Sequence, residues 1–211
     1  MTTETFISKI KFFQVENNLI KLYPTDNPKA LQKFWERLFW IPNINQQKNG
    51  WLNDLYKQTN GIDLINYYIV PYNIYFNKKT ESFDDFCREW IVNQDNPNEI
   101  LADFYSFMTN DYSLIGYLDN LKNENDDNYI AYSSVNKGIK DVEIIFSSIY
   151  KLYDFIIESF INKRELDFSH PIEYWKERDE ELNKAYLNNK IMIYKEKYLY
   201  QNESDLFKKH K

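Results

Sequence analysis

The sequence predicts an α+β fold: a mixed, mainly antiparallel sheet flanked by helices, with a helical C-terminal extension. Three observations point there. In the first half, segments with apolar residues at helical spacing open on Asn-Pro or Ser caps. Between residues 112 and 147, aromatic and β-branched runs alternate with short polar turns. Beyond Arg164, alternating charges accompany a looser apolar stripe.

The N-terminal stretch reads as two short strands, Ile10 to Glu16 and Leu19 to Tyr23, around an Asn17-Asn18 turn. An amphipathic helix through Phe6, Ile10 and Phe13 is the competing reading. Asn27 then caps a helix with Pro28 at its first position, where the missing N–H costs nothing. Leu31, Phe34, Trp35 and Leu38 form its apolar face. A second helix runs from about Gly50 to Asn60 with Trp51, Leu52, Leu55 and Tyr56 inward, and Asn60-Gly61 is its expected left-handed cap. Leu64 to Val70 and Tyr72 to Phe76 read as a strand broken at Pro71. Ser82 to Asn93 and Asn96 to Met108 fit helical spacing. Three strands follow in a meander, Tyr112 to Leu118, Tyr129 to Ser133 and Val142 to Ser147. Ser147 or Ser148 caps a helix reaching Ile161. After His170-Pro171, residues Ile172 to Tyr200 look helical.

Composition narrows the class of function. The chain has 211 residues, enough for one domain with a real core and an appendage. Tyr 18, Phe 15 and Trp 5 supply large rigid apolar area, while Gly 4 leaves the turns to 25 asparagines, which tolerate left-handed backbone. Cys87 is the only cysteine, so no intrachain disulfide forms and a reducing compartment is expected. No apolar run reaches the length of a membrane span, and the N-terminus lacks the order of a signal peptide. The expected location is the cytoplasm.

Net charge is −6, unevenly placed. From Glu81 to Asp127 twelve acids face only Arg88 and Lys122, leaving about −10 there and +4 elsewhere. Such a field repels nucleic acid and anionic membrane and attracts basic proteins. It equally suits a well-solvated acidic face.

Part of the chain resembles a known family. WLNDLYKQTNG (Trp51 to Gly61), with IPNIN ahead of it, is similar to the helix-then-Asn-Gly signature of the SUKH superfamily. SLIGYLDN (Ser113 to Asn120) resembles that family's next strand, with its Ile-Gly step and acidic turn. YIAY, VEIIFSS and IYKLYDFIIESFI resemble its closing strands and last helix. The resemblance divides the chain into a SUKH-like α+β domain, residues 1–163 with a core of about 26–161, and a helical extension, 164–211. The family includes many bacterial toxin-immunity proteins and a eukaryotic branch of regulators. It implies a protein-binding immunity protein, or antitoxin, that neutralises a cognate basic polymorphic toxin. The alternative is a regulatory adaptor or scaffold of the same fold without a toxin partner. Gly61 and Gly116 are the expected backbone-permissive positions, and no functional side chain carries over.

Catalytic constellations are missing. The sequence has no GxGxxG, P-loop, HExxH, GxSxG or CxxC pair, so neither enzyme activity nor a cofactor or metal is expected. Cys87 beside Phe86 reads as core filler, and His170 before Pro171 as a turn residue. Glu99 and Asp103, four apart on an expected helix, share one face, a pairing also common on solvated helices. The loop DNLKNENDDN is oxygen-rich without the spacing of an EF-hand. Candidate partner-binding residues are the acids Asp119, Glu124, Asp126 and Asp127. Tyr67, Tyr72 and Tyr75 join them, because an alternating strand points some tyrosines outward. The expected partner is thus a protein, not nucleic acid or membrane, and the chain is a monomer or a homodimer.

Overall fold

The computed structural model describes residues 1–25, 29, 31, 50–72, 88–93, 100–134, 142–188 and 198–202, and these form an α+β fold. They fall into two compact units, Met1–Asp85 with Tyr153–Leu166, and Phe86–Leu152 with Asp167–Lys211.

The first unit opens with helix α1, Thr3–Glu16, where an N-terminal strand was expected. Thr2 caps it, its hydroxyl accepting from the Thr5 N–H at 3.2 Å. Phe6, Ile7 and Ile10 form its buried stripe. The Asn17 turn is real, but it joins a helix to a strand: its side-chain oxygen accepts from the Leu19 N–H at 2.9 Å. Strand β1, Ile20–Tyr23, then pairs antiparallel with β2, Gly61–Leu64. Helix α2, Gly50–Gln58, packs on α1 and buries Trp51, Leu52, Leu55 and Tyr56, as its spacing predicts. Lys29 and Leu31 are helical, and the rest of the expected helix, with Trp35, lies outside the described residues.

Two turns differ from expectation. Gly61 holds no left-handed conformation; it begins β2, and a Cβ there would meet the Ile69 carbonyl at 2.9 Å and Pro71 Cγ at 2.9 Å. Space therefore demands the glycine. The expected strand Leu64 to Val70 is instead a hairpin from β2 into β3, Tyr68–Ile69. Ile65 makes the turn at φ 72°, a strained setting for a β-branched residue. The unit is closed by helix α3, Ile149–Ile161, from Tyr153 onward. Phe6 stacks on Tyr153 with centroids 4.0 Å apart, and Phe13 meets Phe160 edge-on at 5.6 Å.

The second unit is built on six strands. They are β4, Arg88–Asn93; β5, Ile100–Asn110; β6, Ser113–Lys122; β7, Asn128–Ser134; β8, Val142–Phe146; and β9, Tyr198–Asn202. Their order is β9-β4-β5-β6-β7-β8, antiparallel throughout. The expected meander over β6, β7 and β8 is therefore present, and its Asn136 turn lies outside the described residues.

The helices expected over Ser82–Asn93 and Asn96–Met108 are replaced, where described, by β4 and β5. Residues Phe104 to Thr109 are all buried, so both faces of β5 are covered. A strand buried on both sides reads as a continuous apolar run, which periodicity does not separate from a helix. Asp103 thus sits on a strand, and the helical argument for pairing it with Glu99 lapses. Glu99 and Cys87 lie outside the described residues.

Tyr105 and Tyr117 face each other in register and stack at 5.2 Å. Their neighbour Gly116 is again demanded by space: a Cβ would collide with the Tyr105 carbonyl and with the Phe104 ring at 2.6 Å.

Where described, the single helix expected over Ile172–Tyr200 is instead helix α4, Ile172–Arg178, helix α5, Glu180–Leu187, and β9, Tyr198–Asn202. Asp179 makes the break. Its backbone N–H closes α4 on the Trp175 carbonyl and its side chain caps α5. Helix α4 packs on β8, with Trp175 edge-on to Phe146 at 5.0 Å and Phe168 stacked behind it at 6.3 Å. The Trp175 indole N–H donates to the His170 carbonyl at 3.0 Å, at the bend His170 makes before Pro171.

Replacing Gly116 by Ala is expected to lower unfolding stability by about 1–3 kcal/mol, because ring and carbonyl must both move. Gly50→Ala is the control, since nothing lies within 4 Å of a Cβ there. Denaturant unfolding of the two variants measures the difference.

Candidate functional site

The acidic segment becomes a defined object in the second unit. β6 runs on to Lys122, past the Leu118 expected as its end, so the loop is only residues 123–127. Asn123, buried at 9% exposure, organises it. Its side-chain oxygen accepts from the Asn125 N–H at 2.8 Å and the Asp127 N–H at 3.0 Å. Its amide donates to the Ser147 carbonyl at 3.0 Å, fixing the loop to the end of β8. Asp126 turns the chain at φ 65°, a setting Asp and Asn tolerate. Asn128 braces the base by donating to the Leu118 and Asp119 carbonyls.

A second element meets this loop. Asp179, 1% exposed, accepts from the Ser147 N–H at 2.7 Å, the Ser147 hydroxyl at 3.0 Å and the Leu182 N–H at 3.1 Å. The Ser147 hydroxyl donates there, and Ser148 opens α3, its carbonyl accepting from the Lys151 and Leu152 N–H groups. This junction sets α5 beside the loop, where the Asn125 amide donates to Glu181 Oε1 at 3.3 Å. Tyr186 holds the same helix to β8 by donating to the Ile144 carbonyl at 3.0 Å.

The result is one acidic face. Glu124 and Asp126 are exposed, and Asp119, Asp127 and Glu181 half-buried. Two of its carboxylates are balanced nearby: Lys122 binds Asp126 at 2.8 Å and Lys184 binds Glu180 at 2.6 Å. Burial first, then the Asp179, Asp127 and Glu124 charges, push the Glu181 carboxyl above its ordinary value, against the pull of a Ser147 hydrogen bond. Burial first, then Asp126, does the same for Asp127, outweighing Asn123 and Lys122. Burial and then Glu181, Glu124 and Asp179 raise the Tyr129 hydroxyl. Among the described residues no three His, Cys, Asp or Glu side chains are grouped to hold a metal ion.

The structure brings Glu124, Asp126 and Asp127 together at the loop, with Asp119 at its base. It adds Glu180 and Glu181, which sequence reading placed in the helical extension without singling them out. Only the helix break at Asp179 signals their position, and an Asp between two helical runs is a weak sign of it. The tyrosines separate from this group. Tyr67 is 6% exposed and Tyr72 1%, so they are core residues and not the outward pair expected. Tyr72 packs edge-on against Tyr56 at 5.5 Å, and Tyr56 donates to the Val70 carbonyl at 2.8 Å. Aromatic packing holds them inward. Tyr75 lies outside the described residues.

Comparison with protein-family models, curated proteins and solved structures finds no match. No helix among the described residues is long and apolar enough to cross a membrane.

Asp179→Ala strips the cap of α5 and orphans the Ser147 donors, and is expected to cost about 2–4 kcal/mol. Denaturant unfolding measures it, with Asp179→Asn expected to recover part. A pH test separates the strained acids. A carboxyl whose folded pKa is raised stabilises below its unfolded value, and that contribution is lost as pH rises through the folded one. Asp127→Asn should therefore be more stable than the parent at neutral pH, by roughly a few tenths of a kcal/mol at this exposure. The advantage should vanish below the ordinary aspartate value of 3.8. Thermal unfolding across pH reads both.

Proposed function

We propose that the protein is an immunity-type protein that binds and neutralises a cognate, basic, polymorphic toxin without catalysis of its own. The observation that carries this reading is the acidic face of the β6–β7 loop and α5, where the hydrogen bond from the Asn125 amide sets Glu181 beside the loop of Glu124, Asp126 and Asp127. Carboxylates that repel in the free protein gain when a cationic surface arrives. A toxin that acts on nucleic acid carries such a surface in its cleft. The resemblance of Trp51–Gly61 and Ser113–Asn120 to the SUKH motifs supports the same reading.

The mechanism divides two tasks. Long-range attraction between opposite fields raises the encounter rate and rejects acidic partners. The lifetime of the complex then depends on packed contacts around the charged centre. Rigid presentation favours both, because the loop is tied at Asn123 and the helix at Asp179, so little order is lost on binding.

The test is capture on tagged full-length protein from its host, washed at low and then high salt. A single basic protein that is toxic alone and harmless beside this chain is the expected result. Several non-toxic partners would instead favour the adaptor. With the toxin in hand, the quadruple variant Asp119→Asn, Glu124→Gln, Asp126→Asn, Asp127→Asn should associate about tenfold more slowly at low salt. Its rate should also lose most of its salt dependence. An unchanged association rate would remove the loop from the interface.

A further inference from the structure

The first unit has a different kind of surface. Helix α1 buries Phe6, Ile7 and Ile10 along its first turns, yet its last turns expose Phe12 at 61% and Val15 at 88%. Leu19, one turn beyond Val15, is 58% exposed. Beside this ridge lies a pocket of about 350 Å³. Phe13, Ile20, Ile65 and Phe160 make its apolar walls, and Glu16, Lys163, Arg164 and Glu165 its charged rim. Ridge and pocket adjoin, since the Phe12 ring meets Phe13 edge-on at 5.8 Å and Phe13 meets Phe160 at 5.6 Å.

Two of the three non-glycine residues with positive φ line that pocket, Ile65 at 72° and Lys163 at 53°. Both are set by turns: Ile65 lies in the β2–β3 hairpin, and Lys163 follows the end of α3, where its N–H donates to the Phe160 carbonyl at 3.0 Å. Arg164 is tied to Glu158 at 3.0 Å. Among the described residues Lys163, Glu16 and Glu165 carry no ion pair.

We propose that this face joins two copies of the chain about a twofold axis, with Phe12 of each copy seated in the pocket of the other. A closed pair needs a self-complementary patch, in which residue i meets j and j meets i. Three features here fit that demand. A projecting aromatic and a cavity able to hold it lie side by side. The rim carries both signs in equal number, so Lys163 of each copy meets Glu16 of the other. The apolar ridge continues past the pocket through Val15 and Leu19, extending the contact beyond one side chain. A partner of one dominant charge would select a rim of one sign. The pairing uses none of the residues of the acidic face, and it stands or falls separately from the proposed function.

Sedimentation velocity of the full chain over a wide concentration range tests the pairing. The parent is expected to show a reversible monomer–dimer equilibrium. Phe12→Glu changes a residue already in solvent, so the fold should persist by circular dichroism while dimerisation weakens by about tenfold or more. Lys163→Glu and Glu16→Lys should each weaken the dimer, and the two reversals in one chain should restore it, an outcome a merely structural role would not give. A chain that stays monomeric at every concentration overturns the proposal. So does a dimer indifferent to Phe12→Glu, or charge reversals whose combination restores nothing.

Discussion

The second unit depends on one buried carboxylate. Asp179 has almost no contact with solvent, yet three hydrogen-bond donors reach it, two from Ser147 at the end of β8 and one from the first turn of α5. An acid buried without partners would be expelled or neutralised; one so fully engaged fixes its neighbours instead. It stops α4, starts α5, and holds both to the sheet. Ser147 is also where Asn123 attaches, through the adjoining carbonyl. The loop and the helix that form the acidic face thus hang from the same residue. Its backbone donates to one and its carbonyl accepts from the other.

That arrangement explains why the face keeps its charge repulsion. Flexible acids would spread apart, since long side chains in water relieve crowding at little cost. Here backbone bonds hold the loop in shape, and the Glu181 side chain is drawn to Asn125. The unfavourable energy is small for half-exposed groups and is outweighed by the packing of Trp175, Phe146 and Phe168 beneath. A cationic partner would relieve it at the moment of contact.

The sequence disclosed the parts of this architecture whose signals are local. Helix α2, strands β6 to β8 and helix α3 carry caps, turns and amphipathic spacing of their own, and fall where the pattern puts them. The failures share a cause. β4 and β5 are apolar without alternation, because β5 is covered on both faces, and an apolar run of that kind satisfies a helical template as well. At the N-terminus the Asn17 turn was legible, but the Thr2 cap that makes its first arm helical was overlooked. The candidate site was half legible. Clustered acids announced the loop, whereas α5 reaches it only through Asp179, a contact spanning thirty-two positions in sequence. The tyrosines misled because alternation predicts outward residues only when one face of a strand is open. Tyr67 and Tyr72 have no such face.

The pairing of β9 with β4 bears on how the chain can be handled. Residues Tyr198–Asn202 cover β4 with a full ladder, from Glu89 opposite Asn202 to Asn93 opposite Tyr198. A truncation after α5 would leave that side of β4 as a bare row of amides and carbonyls beside a strongly aromatic sheet. Such an edge recruits other strands indiscriminately. Shortened versions that clump would therefore report a missing strand, not a loss of binding chemistry.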